Sequence, residues 1–327
     1  MVRAAIVGVG RWGQTLVNSV KGSDKIKFVA GCTRTRSKAE EFCRESNIDL
    51  RDDLDAVLSD PNIDAVVFAT PHSQHEEHIK QAAKAGKNIF VEKPFTLNVA
   101  SASAALDAVE EAGVVLGIDF QRRFHPSIVE IRNRIRDGRL GTISSATAEI
   151  ITPSGFALTG EHWRINPEET PAGAMTGLGV HWMDGFIDFF GEVDEVYCVN
   201  TRRAAPKVDD TTVFMMKHKN GVVSTTTCGL ASGVSYCCGV FGTNGIAETV
   251  RPGLDTFRFL PAPGKDLKPE TIENKGFDPI KAAIEAFASA ASGEAPFPIS
   301  RDEIVHGVAA FEAIVKSAKT GEPVKVK

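Results

Sequence analysis

"AAIVGVGRWG" (residues 4–13) carries the reading of the fold. Its apolar half belongs to a strand-like run, Ala4–Val9, and a helical pattern begins near residue 12. Between the two, Gly8, Gly10 and Gly13 stand in GxGxxG spacing. Glycines permit a tight turn and a close backbone approach to a ligand. The first turn of the helix adds unpaired N–H groups and the positive end of its dipole. A strand, this turn and a helix in that order form a dinucleotide-binding fingerprint, with a pyrophosphate on the helix N-terminus. Gly8, Gly10, Arg11, Trp12 and Gly13 are therefore expected to contact a dinucleotide.

Outward from this stretch the alternation continues. Strand-like runs follow at Lys27–Cys32, Ala65–Ala69, Asn88–Val91 and Val114–Ile118, with helical patterns near 12–20, 38–46, 72–85 and 98–112. Ser37 and Glu40 have the spacing of a capping box for the second helix. Alternating strands and helices predict a parallel sheet with helices on both faces. After residue 121 the texture changes. A basic helix, Ile128–Arg136, precedes "TISSATAEIIT" (142–152), which alternates with period two. One apolar helix, Ala172–Phe190, leads to strand-like runs at 193–201, 211–218, 222–228, 234–241 and 246–250. Asn220–Gly221 and Asn244–Gly245 read as hairpin turns, and two helices near 278–292 and 302–319 close the chain. The fold expected is α/β. A Rossmann dinucleotide-binding domain spans 1–121, and an α+β domain with a large, mostly antiparallel open sheet spans 122–327.

Composition narrows the class. Over 327 residues, 43% are apolar, enough for two cores, and the formal net charge of −5 argues against nucleic acid or anionic membrane as partner. No run approaches the ~20 apolar residues of a membrane span. The N-terminal apolar stretch is short and runs straight into the glycine pattern, unlike a signal peptide. The six cysteines show neither CxxC nor metal spacing and read as buried small hydrophobes of a reducing cytoplasm. No metal is expected.

The end of the second strand bears on which dinucleotide is bound. A chain that binds NAD places an acid there for the ribose 2′-hydroxyl. Here "CTRTRSK" (32–38) has none, and no carboxylate occurs between Asp24 and Glu40. Thr33, Arg34 and Lys38 stand there instead. A carboxylate repels a 2′-phosphate and a guanidinium attracts it, so NADP(H) is expected in preference to NAD(H).

Ligands of such sheets bind outside the carboxyl ends of the strands. Glu92 and Lys93 of "IFVEKPF" (89–95) stand at one strand end, and Thr70, Pro71 and His72 follow another. A lysine there suits stabilisation of a developing alkoxide. On the apolar helix 172–190, the polar residues His181, Asp184 and Asp188 fall at i, i+3, i+7 and form one stripe. A histidine suits proton transfer near neutrality. The same spacing also describes a core histidine capped by an aspartate.

Together these elements resemble the family of glucose–fructose oxidoreductase, inositol dehydrogenase and their rhizopine-catabolism relatives. The resemblance rests on the glycine fingerprint, "TPHSQH" (70–75), "AGKNIFVEKP" (85–94), "RRFHP" (122–126), "GRLG" (138–141) and "GLGVHWMD" (177–184). It implies that Lys93 binds the substrate hydroxyl near the nicotinamide and that His181 is the acid/base. It also implies that Glu92 contacts the nicotinamide ribose, that Pro94 follows a cis peptide, and that Gln121 and Arg122 lie near the cofactor's reactive end. His75, in the same motif as Thr70, Pro71 and His72, joins the cofactor set. One position departs from the pattern. Four residues before the histidine, where inositol dehydrogenases complete a Lys–Asp–His set with aspartate, this chain has Gly177. Either the substrate is not a cyclitol, or another acid, Asp184 or Asp119, takes over. His72 replaces an asparagine common in the family.

The expected function is NADP(H)-dependent hydride transfer to or from a carbinol or carbonyl carbon of a sugar-like or related small molecule. Lys93, Arg122, His162, Arg164, His181 and Asp184 are the expected substrate contacts. The alternatives are a non-catalytic cofactor- or ligand-sensing protein of the same fold, or a dehydrogenase for non-sugar substrates such as dihydrodiols. A homodimer or homotetramer formed through the second domain's sheet is expected, because one sheet face is left for a partner subunit.

Overall fold

In the computed structural model, which describes residues 1–160 and 162–327, the chain opens with six strands. They are Val2–Val7 (β1), Ile26–Cys32 (β2), Asp49–Leu50 (β3), Ala65–Phe68 (β4), Asn88–Val91 (β5) and Leu116–Ile118 (β6). Helices Arg11–Ser19 (α1), Glu40–Glu45 (α2), Leu54–Leu58 (α3), His75–Lys84 (α4) and Val99–Ala112 (α5) alternate with them. All neighbours pair in parallel, in the order β3-β2-β1-β4-β5-β6. Strands covered on both faces read as unbroken apolar runs; every residue of β4 is buried, and Ala4, Ala5 and Ile6 of β1 have 0% exposure. The capping box does not form: α2 is capped by Ala39 without a side-chain bond, and Ser37 lies in the preceding 3-10 turn.

Helix Pro126–Arg136 (α6) and strand Ile143–Ile151 (β7) follow. A π turn, Met175–Gly179, leads into helix Val180–Phe190 (α7). Next come Val193–Thr201 (β8), Thr211–His218 (β9), Val223–Gly229 (β10), Ser235–Gly242 (β11), Gly245–Thr249 (β12), Thr256–Pro261 (β13) and Glu270–Glu273 (β14). Helices Pro279–Ala291 (α8) and Arg301–Thr320 (α9) and strand Val324–Lys325 (β15) end the chain. The second sheet has the order β14-β13-β12-β11-β7-β10-β9-β8-β15. β7 and β10 are parallel and the other neighbours antiparallel. Alternation decides which side of this sheet is covered. Along β9, Thr212, Phe214, Met216 and His218 are buried, whereas Val213 and Met215 are 43% and 42% exposed.

The chain divides into two compact units, residues 1–121 with 278–305 and residues 122–277 with 306–327. This differs from the single division expected at 121/122, because α8 returns to the first unit. There Phe287 of α8 packs on Phe90 of β5 with ring centroids 5.3 Å apart. A Cβ on Gly117 of β6 would come within 2.8 Å of Phe90 and 3.1 Å of Phe287, so glycine is required for that fit. Among the described residues no helix is long and apolar enough to cross a membrane.

Candidate active site

In the first unit, each strand of the sheet centre extends its hydrogen bonding one residue beyond its end. Gly8 N–H donates to Cys32 O at 2.9 Å, Ala69 N–H to Val7 O at 2.8 Å, Glu92 N–H to Phe68 O at 3.0 Å and Asp119 N–H to Val91 O at 2.9 Å. The ends of β2, β1, β4, β5 and β6 therefore form one ledge. It carries the glycine turn, Thr70, Glu92–Lys93 and Asp119 side by side. Strand order reverses between β1 and β4, where the crevice of such sheets opens.

The three glycines serve different ends. Gly8 has φ +95° and a Cβ there would lie 2.5 Å from Ala69 O; on Gly13 a Cβ would lie 2.1 Å from Gly8 O. Both contacts draw α1 and β4 tightly onto the turn. Gly10 has nothing within 4 Å of an added Cβ, so its backbone faces open space. It also caps α1 without a side-chain bond, leaving the first-turn N–H groups for a ligand. A pyrophosphate fits this cradle. Separately, Gln121 after β6 has its Oε1 buried without a hydrogen-bond partner among the described residues, as an acceptor awaiting a ligand donor would be.

After β2 the three basic side chains part company. Arg36 donates to Asp52 Oδ1 at 3.0 Å and to Arg51 O at 3.1 Å, so its guanidinium is engaged. Arg34 and Lys38 are exposed, and neither makes an ion pair within 4 Å among the described residues. Thr33 follows Cys32 directly, beside the glycine turn.

The Glu92–Lys93–Pro94 segment is held from three sides. Trp12, from the glycine turn, donates its indole N–H to Glu92 Oε1. His75 has 0% exposure, and its ring nitrogens meet backbone oxygens: Nδ1 lies 3.0 Å from both Pro94 O and Phe95 O, and Nε2 lies 3.2 Å from Thr70 O. His75 thus braces the segments carrying Thr70 and Lys93 instead of facing a ligand. Asp119 is the third neighbour, fully buried with no hydrogen-bond donor on either oxygen among the described residues. Burial, then the Glu92 charge, pushes its carboxyl well above the usual range, while Lys93 acts in the opposite sense. The Lys93–Pro94 peptide is cis. His72 is buried, with its ring 5.8 Å from that of His75. Thr70 Oγ1 lies 3.2 Å from His78 Nδ1, and burial pulls His78 down to about 4.

In the second unit, His181 and Asp184 lie on α7, 5% and 6% exposed. The expected single helix from Ala172 is not seen. Ala172 and Gly173 adopt left-handed conformations, φ 57° and 51°, and the π turn 175–179 follows. A π turn accommodates one extra residue within a helix and is frequent at functional sites. Gly177 lies inside it with nothing within 4 Å of an added Cβ, whereas on Gly179 a Cβ would strike Cys228 Sγ at 2.6 Å. Asp184 accepts from Arg123 at both oxygens, each at 2.7 Å. One turn on, Asp188 meets Arg132 at 3.0 Å, Arg136 at 3.1 Å and Arg123 at 3.6 Å. The polar stripe of α7 is therefore largely an anchor to α6 and the Arg123 turn. His162, Trp163 and Arg164 share a 3-10 turn, with the Arg164 guanidinium 4.3 Å over the Trp163 ring. Arg122 lies 4.7 Å over the ring of Tyr236 on β11.

Trp12, expected at the dinucleotide, instead gives its indole N–H to Glu92; Arg123 and Tyr236 were not singled out from sequence. Arg123 stands in the quoted "RRFHP", but its carboxylate partner lies 61 residues away.

Residues 2–120 match the oxidoreductase family with an NAD-binding Rossmann fold, and residues 128–248 match the Gfo/Idh/MocA C-terminal domain. The chain belongs to the Gfo/Idh/MocA oxidoreductase family. Within that family it is 41% identical over 145 residues to scyllo-inositol 2-dehydrogenase (NAD(+)) of Bacillus subtilis, covering 43% of this chain and 42% of that protein. The chain thus aligns with less than half the length of this relative. It is 28% identical over 229 residues to trans-1,2-dihydrobenzene-1,2-diol dehydrogenase of Oryctolagus cuniculus, covering 69% of this chain and 68% of that one. The Gfo/Idh/MocA fold extends over the whole molecule. Levoglucosan dehydrogenase, in complex with NADH and L-sorbose, superposes with a TM-score of 0.88 at 20% identity, covering 100% of this chain and 99% of the other.

Proposed function

We propose that this protein is an NADP(H)-dependent oxidoreductase acting on a carbinol or carbonyl carbon of a sugar-like small molecule. The observation that carries the reading is the ledge of strand ends, which sets Lys93 in one row with the glycine turn. When bound, the nicotinamide supplies or accepts the hydride. Gly8, Gly10 and Gly13 would hold the pyrophosphate, and Glu92, Gln121 and Thr70 the nicotinamide half. Arg34 and Lys38 are the cations left for a 2′-phosphate, since Arg36 is engaged by Asp52. Lys93 polarises the substrate oxygen through its ammonium. His181 moves the proton, and Arg122, with the turn bearing His162 and Arg164, completes the substrate set. Asp184 acts through the hold of Arg123 on α7 and is a positioning residue. His75 is another, acting through the Pro94 and Phe95 carbonyls.

The relatives named for scyllo-inositol and levoglucosan support a polyhydroxylated substrate. The Bacillus relative is named for NAD(+), so cofactor preference has to be measured. The test is NADPH and NADH oxidation, by the full chain, over a panel of sugar-derived carbonyl compounds. Turnover with NADPH is expected. Cofactor binding without turnover on any compound would favour the sensing role that the missing carboxylate at Gly177 suggests. We also propose self-association through the open face of β8 and β9. There Tyr197 pairs with Met215 and Val199 with Val213, all between 37% and 46% exposed.

A further inference from the structure

Arg122, in the second unit, makes no ion pair within 4 Å among the described residues. Its guanidinium stacks 4.7 Å over Tyr236, and its Nε is shielded from solvent with no hydrogen-bond partner among the described residues. Stacking engages the face of a guanidinium; its N–H edge, which also interacts with the Tyr236 hydroxyl, is the part that grips an anion in two parallel bonds. Four acids of the unit are committed to other partners. Asp184 is bound by Arg123, and Asp188 by Arg123, Arg132 and Arg136. Asp255 lies 3.5 Å from His125, and Glu149 is bound by Arg251 and by Ser235. Arg122 is half-buried; burial lowers its pKa, and Tyr236 acts in the opposite sense. Such an arrangement is stable to carry when a ligand supplies the missing charge.

The location points to the substrate. Tyr236 pairs with Ile150 across β11 and β7, so it faces the same side of the sheet as buried Ile150. Next to Ile150, Glu149 O accepts the indole N–H of Trp182 at 3.2 Å, and Trp182 follows His181 on α7. Tyr236, under Arg122, and Trp182, next to the proposed proton-transfer residue, thus meet adjacent residues of β7.

We propose that Arg122 is the receptor for a carboxylate on the substrate, which makes the substrate a hydroxy or oxo acid of the sugar series and not a neutral polyol. This rests on the oxidoreductase reading for its use in turnover, though not for binding. An anion at Arg122 has two sources, the substrate's carboxylate or a cofactor phosphate, and the experiment separates them. Binding of D-gluconate and D-glucitol to the full chain is measured by calorimetry, with and without NADPH; the two probes differ only in a carboxylate against a hydroxymethyl. Gluconate is expected to bind about 10- to 100-fold tighter, the range of a charge-assisted pair. Arg122→Gln should bring the two affinities together, and Arg122→Lys should keep a reduced preference because a point charge replaces the fork. NADPH affinity should stay within about twofold in both variants. Equal binding of the two probes by the unmodified protein overturns the proposal without any variant having to fold. So does a tenfold loss of NADPH affinity in Arg122→Gln, which would assign the anion to the cofactor. A gluconate preference with no hydride transfer to any acid or polyol would sustain the receptor and reject the oxidoreductase reading. Hydride transfer with neutral polyols alone would do the reverse.

Discussion

Removing Asp184 should reveal how α7 is held. In Asp184→Ala the Arg123 guanidinium, 4% exposed, loses two hydrogen bonds of 2.7 Å and keeps Asp188 at 3.6 Å. Breaking one partner from a buried ion pair costs about 3–5 kcal/mol. The remaining contact with Asp188 sets the expectation at the lower end, about 3 kcal/mol. The double variant Arg123→Met/Asp184→Leu removes both charges together. Asp188 keeps Arg132 and Arg136, so stability should return to within about 1 kcal/mol of the starting protein. Urea unfolding of the four proteins, followed by tryptophan fluorescence at low and high salt, gives the coupling energy. A buried pair is little screened, so salt should leave that coupling almost unchanged. An Asp184→Ala cost below about 1 kcal/mol, or a coupling that salt abolishes, would refute the argument from burial. Turnover adds a second reading. If Asp184 only positions α7, the restabilised double variant regains activity; restored stability with activity still lost would place Asp184 on the substrate.

Lys93→Met should lower turnover by about 10²–10³ and leave cofactor affinity nearly unchanged; retention of most turnover would make Lys93 structural. NADPH should bind at least about tenfold tighter than NADH, or about 1.4 kcal/mol. Arg34→Ala with Lys38→Ala should erase that difference while Arg36→Ala spares it, and fluorescence titrations giving equal affinities at the outset would reject the assignment. His78 gives a pH signature. Its folded pKa of about 4 lies below the ~6.5 of an unfolded histidine, so the unfolded chain takes up the proton first as pH falls. The stability it contributes is present above about 6.5 and is lost down to about 4, with a slope of at most about 1.4 kcal/mol per pH unit. His78→Phe, which keeps a ring against Phe68, should flatten denaturation midpoints across that window; parallel curves would contradict it. Light scattering should report more than one chain per particle at micromolar concentration, and Val213→Lys with Met215→Lys should shift it towards one. A monomer before substitution would end the sheet-face proposal.

What the sequence made legible follows from how locally each feature is encoded. β5 reads to the residue and β1 to within two, because a buried parallel strand is an unbroken apolar run. β3, with two residues, and α3, with five, are too short to show a period. β13 shows its alternation in Phe257 and Phe259 alone, which is too brief to set it apart from the turns beside it. The start of α7 was misplaced since a π turn and an α turn carry the same apolar pattern. Only Ala172 and Gly173, with their left-handed backbone, separate the turn from what precedes it. Of the site, the glycine cradle and Lys93 were visible because a motif and a strand end are adjacent in sequence. The buried placement of His75, the Arg123–Asp184 pair and Tyr236 beneath Arg122 depend on partners 19, 61 and over a hundred residues away, and no local pattern announces them. Which core would receive residues 278–305 was hidden for the same reason.

The return of α8 to the first unit has a consequence for biosynthesis. A ribosome that has completed residue 121 must add 184 more (305 − 121) before the first unit has all its parts. At about 5–20 residues per second that takes roughly 10–40 s. For most of that interval, until residues 279–297 have been added, the flank of the parallel sheet that Phe287 and Phe297 cover, with Phe90 at its centre, lacks those side chains. A nascent chain arrested anywhere between residues 121 and 279 carries an open apolar strand, and chaperones that hold such strands have that period in which to act.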